Sequence, residues 1–116
     1  MPVVEVPVEK WTGKVREVKL GDGGRKSIVV GGESTLPFLS FEGSLPHRPA
    51  VAIEVQDREP SLWPPNLLRA WGEVVKDPAA WAKKAKEVGA DIIALFLKSA
   101  HPEEGNTGAA EAREVV

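Results

Sequence analysis

Cysteine is absent from this 116-residue chain. With it go disulfides, thiolate zinc sites, a cysteine nucleophile and ligation of an iron–sulfur cluster by these residues, so any such cluster would belong to a partner. Histidine is scarce: His47 and His101 stand far apart, and a histidine-based metal site would need long-range folding and carboxylate help. No metal ligated by this chain is expected. Neither sign of charge dominates, with 15 Lys and Arg against 17 Asp and Glu for a formal net charge of -2. Interspersed charges lack the footprint of a nucleic-acid binder, and no such partner is expected. Long apolar runs are also missing. The N-terminal MPVVEVPVEKW is neither a signal peptide nor a span, and later runs are strand-sized, so no membrane segment is expected and the cytoplasm is the default address. No GK[ST] or dinucleotide fingerprint follows Gly31-Gly32, which reads as a turn. No Ser-His-Asp order, paired-carboxylate spacing or HExxH is found, which leaves an independent hydrolase without machinery.

What is present suits a folded α/β chain. At 42% hydrophobic and 28% charged residues, the composition supports a core. Residues 1–13 carry Pro2, Pro7 and Gly13 among valines and charges, the pattern of an extended arm, with Trp11 as a candidate anchor. β-prone stretches Lys14–Leu20 and Lys26–Val30 flank Gly21-Asp22-Gly23-Gly24. Glycine supplies positive φ there, so a hairpin is expected. A long irregular connection follows, in which Phe38 and Phe41 are expected to plug a core.

Two apolar runs organise the rest: PAVAIEVQD at Pro49–Asp57 and DIIALFLKS at Asp91–Ser99. About thirty residues of helical pattern separate them, as a βαβ crossover requires. In the first run Val51, Ile53 and Val55 share a face suited to helix packing. Ala50, Ala52, Glu54 and Gln56 share the other, small residues grading into polar ones as at a barrel axis opening to its C-terminal mouth. Between the runs, Pro64 and Pro65 open a helix with Leu67, Leu68, Trp71, Val74 and Val75 on one face. Asp77-Pro78 restarts the helix with Asp77 as N-cap, turning Trp81, Ala85 and Val88 inward, and Gly89 ends it. The second run is apolar on both faces, as a buried parallel strand is, and Thr107 is expected to cap a last helix. The fold class is therefore α/β: a β-hairpin, then the N-terminal part of a (β/α)8 TIM barrel. Residues 1–48 form the arm, hairpin and connection, and residues 49–116 the first βαβ unit and the start of the next helix. A whole barrel needs about 250 residues, so the chain reads as a truncated piece of one.

Barrel chemistry sits where strands end, which singles out Glu54, Gln56, Asp57, Lys98 and Ser99. A carboxylate or amide there can hydrogen-bond the amide groups of a ligand or a neighbouring subunit. The structural alternative is an ion pair or cap, since neighbouring strands lie about 4.8 Å apart and Lys98 would reach Glu54 or Asp57. His101 reads as an exposed loop histidine rather than a metal ligand. Of the four tryptophans, Trp71 and Trp81 belong to apolar helical faces, while Trp63, in the loop after the first strand, is the candidate partner contact together with His101 on its own loop.

The segments IVVGGESTLPFLSFEGSLPHRPAVAIEVQDREPSLWPPNL and WAKKAKEVGADIIALFLKSAHPE resemble the small subunit of the corrinoid iron–sulfur protein, also called the delta subunit of the acetyl-CoA decarbonylase/synthase complex. The likeness runs from about Val15 to the C-terminal end and is densest in GGESTLPF, FEG, EVQD and GAD. It implies a barrel subunit that pairs with a larger subunit bearing the iron–sulfur cluster and helps hold a corrinoid (cobamide) between them. It also implies a methyl group passed from a methylpterin-dependent methyltransferase to acetyl-CoA synthase, with this chain a non-catalytic subunit of that system. The competing expectations are a pterin-dependent methyltransferase, with Glu54, Gln56 or Asp57 on the pterin ring, and a remnant that only assembles, by self-association of open strand edges.

Overall fold

A computed structural model describes the chain apart from Met1, Pro2, Val6, Val8, Glu9, Trp11, Gly23, Arg25, Pro37, Ser40 and Phe41. The expectations for Trp11 and Phe41 therefore lie outside the described residues. The chain divides into two compact units, residues 1–50 and 51–116.

In the first unit, β1 (Val18–Leu20) pairs antiparallel with β2 (Ile28–Val30), Val18 opposite Val30 and Leu20 opposite Ile28. This is the expected hairpin with shorter strands. Its pairing continues at one end, where the Val15 N–H donates to the Glu33 carbonyl at 2.8 Å and the Gly32 N–H to the Val15 carbonyl at 2.9 Å. Gly31 makes that approach possible. Its φ is +90°, and a Cβ there would stand 2.1 Å from the Arg16 carbonyl oxygen, so only glycine fits. The irregular connection is held by polar groups. Ser34 and Ser44 exchange a backbone bond of 3.0 Å and a side-chain bond of 2.9 Å, the Thr35 hydroxyl donates to the Leu39 carbonyl at 2.9 Å, and His47 Nε2 lies 2.8 Å from Glu17 Oε2. Phe38 does not plug a core: it is 88% exposed, because these backbone bonds already satisfy the connection and leave the ring outside it.

In the second unit, β3 (Ala52–Gln56) and β4 (Ile92–Phe96) pair in parallel, with Glu54 beside Ala94 and Gln56 beside Phe96. Between them run α1 (Pro65–Trp71), a 3-10 segment (Gly72–Lys76) and α2 (Pro78–Glu87). The expected first helix thus shortens. Gly72, at φ +74°, breaks the α geometry after about two turns, and Val75 reaches the core from the tighter 3-10 turn. The unsatisfied carbonyls at the end of α1 are met from α2: Lys84 Nζ donates to the Trp71 carbonyl at 2.6 Å and the Ala70 carbonyl at 2.9 Å, over the Trp71 ring. Asp77 caps α2 as expected, its Oδ1 accepting from the Ala79 N–H at 3.0 Å. At the other end Gly89 takes φ +108°, and the Gly89 and Ala90 amides donate back to the Lys86 and Ala85 carbonyls, a Schellman ending.

The core is small and aromatic. Val55, Val75 and Trp81 are buried and contiguous, with Trp63, Leu68, Trp71 and Ala82 packed against them. Trp81 is fully enclosed, met edge-on by Trp63 at 5.3 Å and at a tilt by Trp71 at 6.4 Å. The helix-facing assignment of Val55 holds, but Val88 is 60% exposed. As the C-cap residue of α2 it sits where the helix is leaving the sheet. β4 is not buried along its length, and Ile93, Leu95 and Phe96 keep substantial exposure. After β4 a 3-10 turn (Lys98–Ala100) leads through residues 101–107 to α3 (Ala109–Val115). Its N-cap is Gly108, not Thr107, with Glu111 reaching back to the Gly108 N–H at 3.1 Å. No described helix is long and apolar enough to cross a membrane.

Candidate functional site at the C-terminal ends of β3 and β4

A parallel pair brings the C-terminal ends of both strands to one edge, and with them all five rim residues expected from the sequence. Four of them form two pairs, and Lys98 stands apart. Glu54 and Gln56 are two apart on β3 and therefore on one face, opposite Val55. Gln56 Nε2 donates to Glu54 Oε1 at 2.9 Å. An ionised carboxylate only accepts, so this bond fixes the amide with its nitrogen toward Glu54 and its carbonyl oxygen away from it. That oxygen is buried and has no hydrogen-bond partner, a costly position for an acceptor. The same face carries Ala52 and Ala94, small residues beside the polar pair, and the half-exposed Phe96.

Asp57, the next residue along, is turned to a different task. Its Oδ1 accepts the Ser99 N–H at 3.1 Å and its Oδ2 accepts the Ser99 hydroxyl in a short bond. Ser99 is 6% exposed. Its hydroxyl oxygen also meets Thr107 Oγ1 at 2.8 Å, and its carbonyl accepts the Thr107 N–H at 3.0 Å. Partial burial alone would raise the Asp57 carboxyl. The Ser99 hydroxyl and amide, its own backbone amide and the charge of Arg58 outweigh that and leave it below its ordinary value.

Lys98 reaches neither Glu54 nor Asp57. It stands beyond the end of β4, in the 3-10 turn, and its Nζ lies 3.8 Å from Glu104 Oε1. His101 is exposed in the same loop, with Nδ1 accepting from the Glu103 N–H at 3.2 Å. Trp63, half-buried, packs in a T-shaped contact with Trp81. Thr107 is the residue that sequence reading missed as part of the rim. A threonine just ahead of a helical pattern reads as its cap, and only the return of the loop onto Ser99 gives it a different partner. A groove of about 650 Å³ lies elsewhere, wholly within the first unit, between Lys14, Val15, Thr35, Leu36 and Leu39, and holds none of these residues.

Residues 17–116 match the family model described as CO dehydrogenase/acetyl-CoA synthase delta subunit. The chain is 40% identical to the acetyl-CoA decarbonylase/synthase complex subunit delta of Archaeoglobus fulgidus, over 93% of this chain and 25% of that protein. It is 38% identical to the protein of the same name from Methanocaldococcus jannaschii, over 84% of this chain and 25% of the relative. The corresponding values for subunit delta 1 of Methanosarcina thermophila are 36%, 94% and 26%. The chain spans about a quarter of the length of these relatives. With the match running from the hairpin to the last residue, the chain belongs to the CO dehydrogenase/acetyl-CoA synthase delta subunit family.

Proposed function

We propose that this chain is part of a non-catalytic subunit of an acetyl-CoA decarbonylase/synthase complex in the cytoplasm, one that helps hold a cobamide against a larger, cluster-bearing subunit. The relatives are by name subunits of such a complex. On this reading β3 and β4 are the first strands of a (β/α)8 barrel whose mouth is the rim described above. The parallel pairing, the helical crossover and the uncovered apolar side chains of β4 all support it.

The single observation that carries the cofactor reading is the Glu54–Gln56 pair. A corrin ring bears amide side chains on its edge, and an amide N–H is the donor that the unpartnered Gln56 oxygen lacks. Glu54 holds the Gln56 amide so that its oxygen stays unpaired, and that oxygen, covered in the free chain, meets a ligand donor once the side chains over it move aside, next to the small Ala52 and Ala94. The corrinoid, when bound, supplies the cobalt chemistry by which a methyl group passes between a methyltransferase and acetyl-CoA synthase. The chain's own residues bind and shelter. The test is cobamide titration of the full-length subunit paired with its large partner. Gln56→Ala should weaken binding about five- to tenfold, the worth of one hydrogen bond. Unchanged affinity in Gln56→Ala and Glu54→Ala together would overturn the assignment of the site. Methylpterin turnover by the subunit alone would instead favour a methyltransferase.

A further inference from the structure

The five rim residues are not equivalent, and the hydrogen-bond directions say why. Asp57 as a carboxylate can only accept, so the Ser99 hydroxyl proton must point at Oδ2. The Ser99 oxygen then faces Thr107 with lone pairs alone, which obliges the Thr107 hydroxyl to donate across the 2.8 Å between them. A one-way chain results, Thr107 to Ser99 to Asp57. The Thr107 N–H on the Ser99 carbonyl and the Ser99 N–H on Asp57 Oδ1 close it at the backbone. Ser99 is nearly enclosed, so every polar group it carries is spent inside the chain.

The segment held in this way is the loop from Lys98 to Thr107. Within it the Glu104 and Asn106 amides both donate to the His101 carbonyl, and Asn106 takes φ +49°. Gly105, at φ +135°, lies under the Arg58 guanidinium, where a Cβ would come 3.0 Å from Nη2. Lys98 meets Glu104 inside the same loop. The loop is therefore folded on itself and fastened to the end of β3 at one carboxylate.

From this we propose that Asp57, Ser99 and Thr107 form a latch that shapes the rim without touching a ligand, that Thr107 is its outer positioning residue, and that ligand contact falls to Glu54 and Gln56. The last clause rests on the cobamide reading above; the latch does not. The experiment is hydrogen exchange of the Ser99, Asn106 and Thr107 amides in the full-length subunit paired with its large partner, with cobamide titration alongside. Thr107→Val keeps the shape and removes the donor, and should speed exchange of these amides about tenfold and weaken cobamide binding, while Thr107→Ser restores both. Gln56→Ala should weaken binding and leave the loop's exchange as in the unsubstituted protein. Wild-type protection in Thr107→Val, or loop exchange in Gln56→Ala as fast as in Thr107→Val, would overturn the proposal. The exchange readout needs no bound cobamide, so it decides the latch even where the cofactor reading fails.

Discussion

At the scale of single residues, burial and hydrogen-bond direction separate side chains that look alike on paper. Trp81 carries the core, closed in by Trp63 and Trp71, yet its indole N–H finds no acceptor. Trp81→Ala should destabilise the second unit by about 3–5 kcal/mol. Trp81→Phe should cost clearly less, because it removes the unsatisfied donor along with part of the ring. Urea unfolding followed by circular dichroism distinguishes the two. Asp57 gives a pH signature. Its carboxyl is depressed in the folded chain relative to the unfolded one, so it binds fewer protons when folded. Its contribution to stability is present above the unfolded carboxylate pKa of about 3.9 and is lost as pH falls through the lower folded value. Asp57→Asn should flatten that acid loss, a difference visible in urea midpoints measured between pH 7 and pH 3; equal slopes in both proteins would contradict the bonding described. Glu54, Gln56 and Asp57 were legible in the sequence as a polar strand end. That Asp57 serves Ser99 while Glu54 serves Gln56 was not, because the alternation of a strand tells faces apart but does not choose among partners within hydrogen-bond reach.

At the scale of elements, the helical crossover and the hairpin follow from local signals. Pro64-Pro65 opens α1, Asp77-Pro78 opens α2, Gly89 ends it, and Gly21 and Gly24, both at positive φ, lie between the hairpin strands. The misses have one physical source, tertiary partners that sequence periodicity does not display. Val88 fits the apolar spacing of α2 but is its exposed C-cap residue, Phe38 lies on a loop already tied by serine and threonine, and Thr107 returns to Ser99 instead of capping α3. Gly31 is the sharpest element-level test. Alanine there combines a positive φ with a clash against the Arg16 backbone. Gly31→Ala should therefore loosen the pairing of Val15 with Gly32 and Glu33 and expose the Val15 and Gly32 amides to exchange, while the amides of β3 and β4 keep their protection.

At the scale of the whole molecule, β4 is the most telling element. A strand of five apolar residues, IIALF, pairs on one edge only among the described residues and leaves Ile93, Leu95 and Phe96 half-uncovered. A two-stranded parallel sheet is a small platform for independent stability, and the relatives are about four times as long as this chain. On the barrel reading proposed above, further strands beside β3 and β4 would cover that surface, so the proposal is tested on the full-length subunit with its partner. The measurement that tests it most directly is co-purification: full-length subunit, large subunit and cobamide mixed and separated by size, with absorbance read at the cobalt bands. The bands should travel with the two-subunit complex and diminish when Glu54 and Gln56 are both replaced by alanine. Bands retained in full by that double variant, or carried by the large subunit alone with equal affinity, would contradict it.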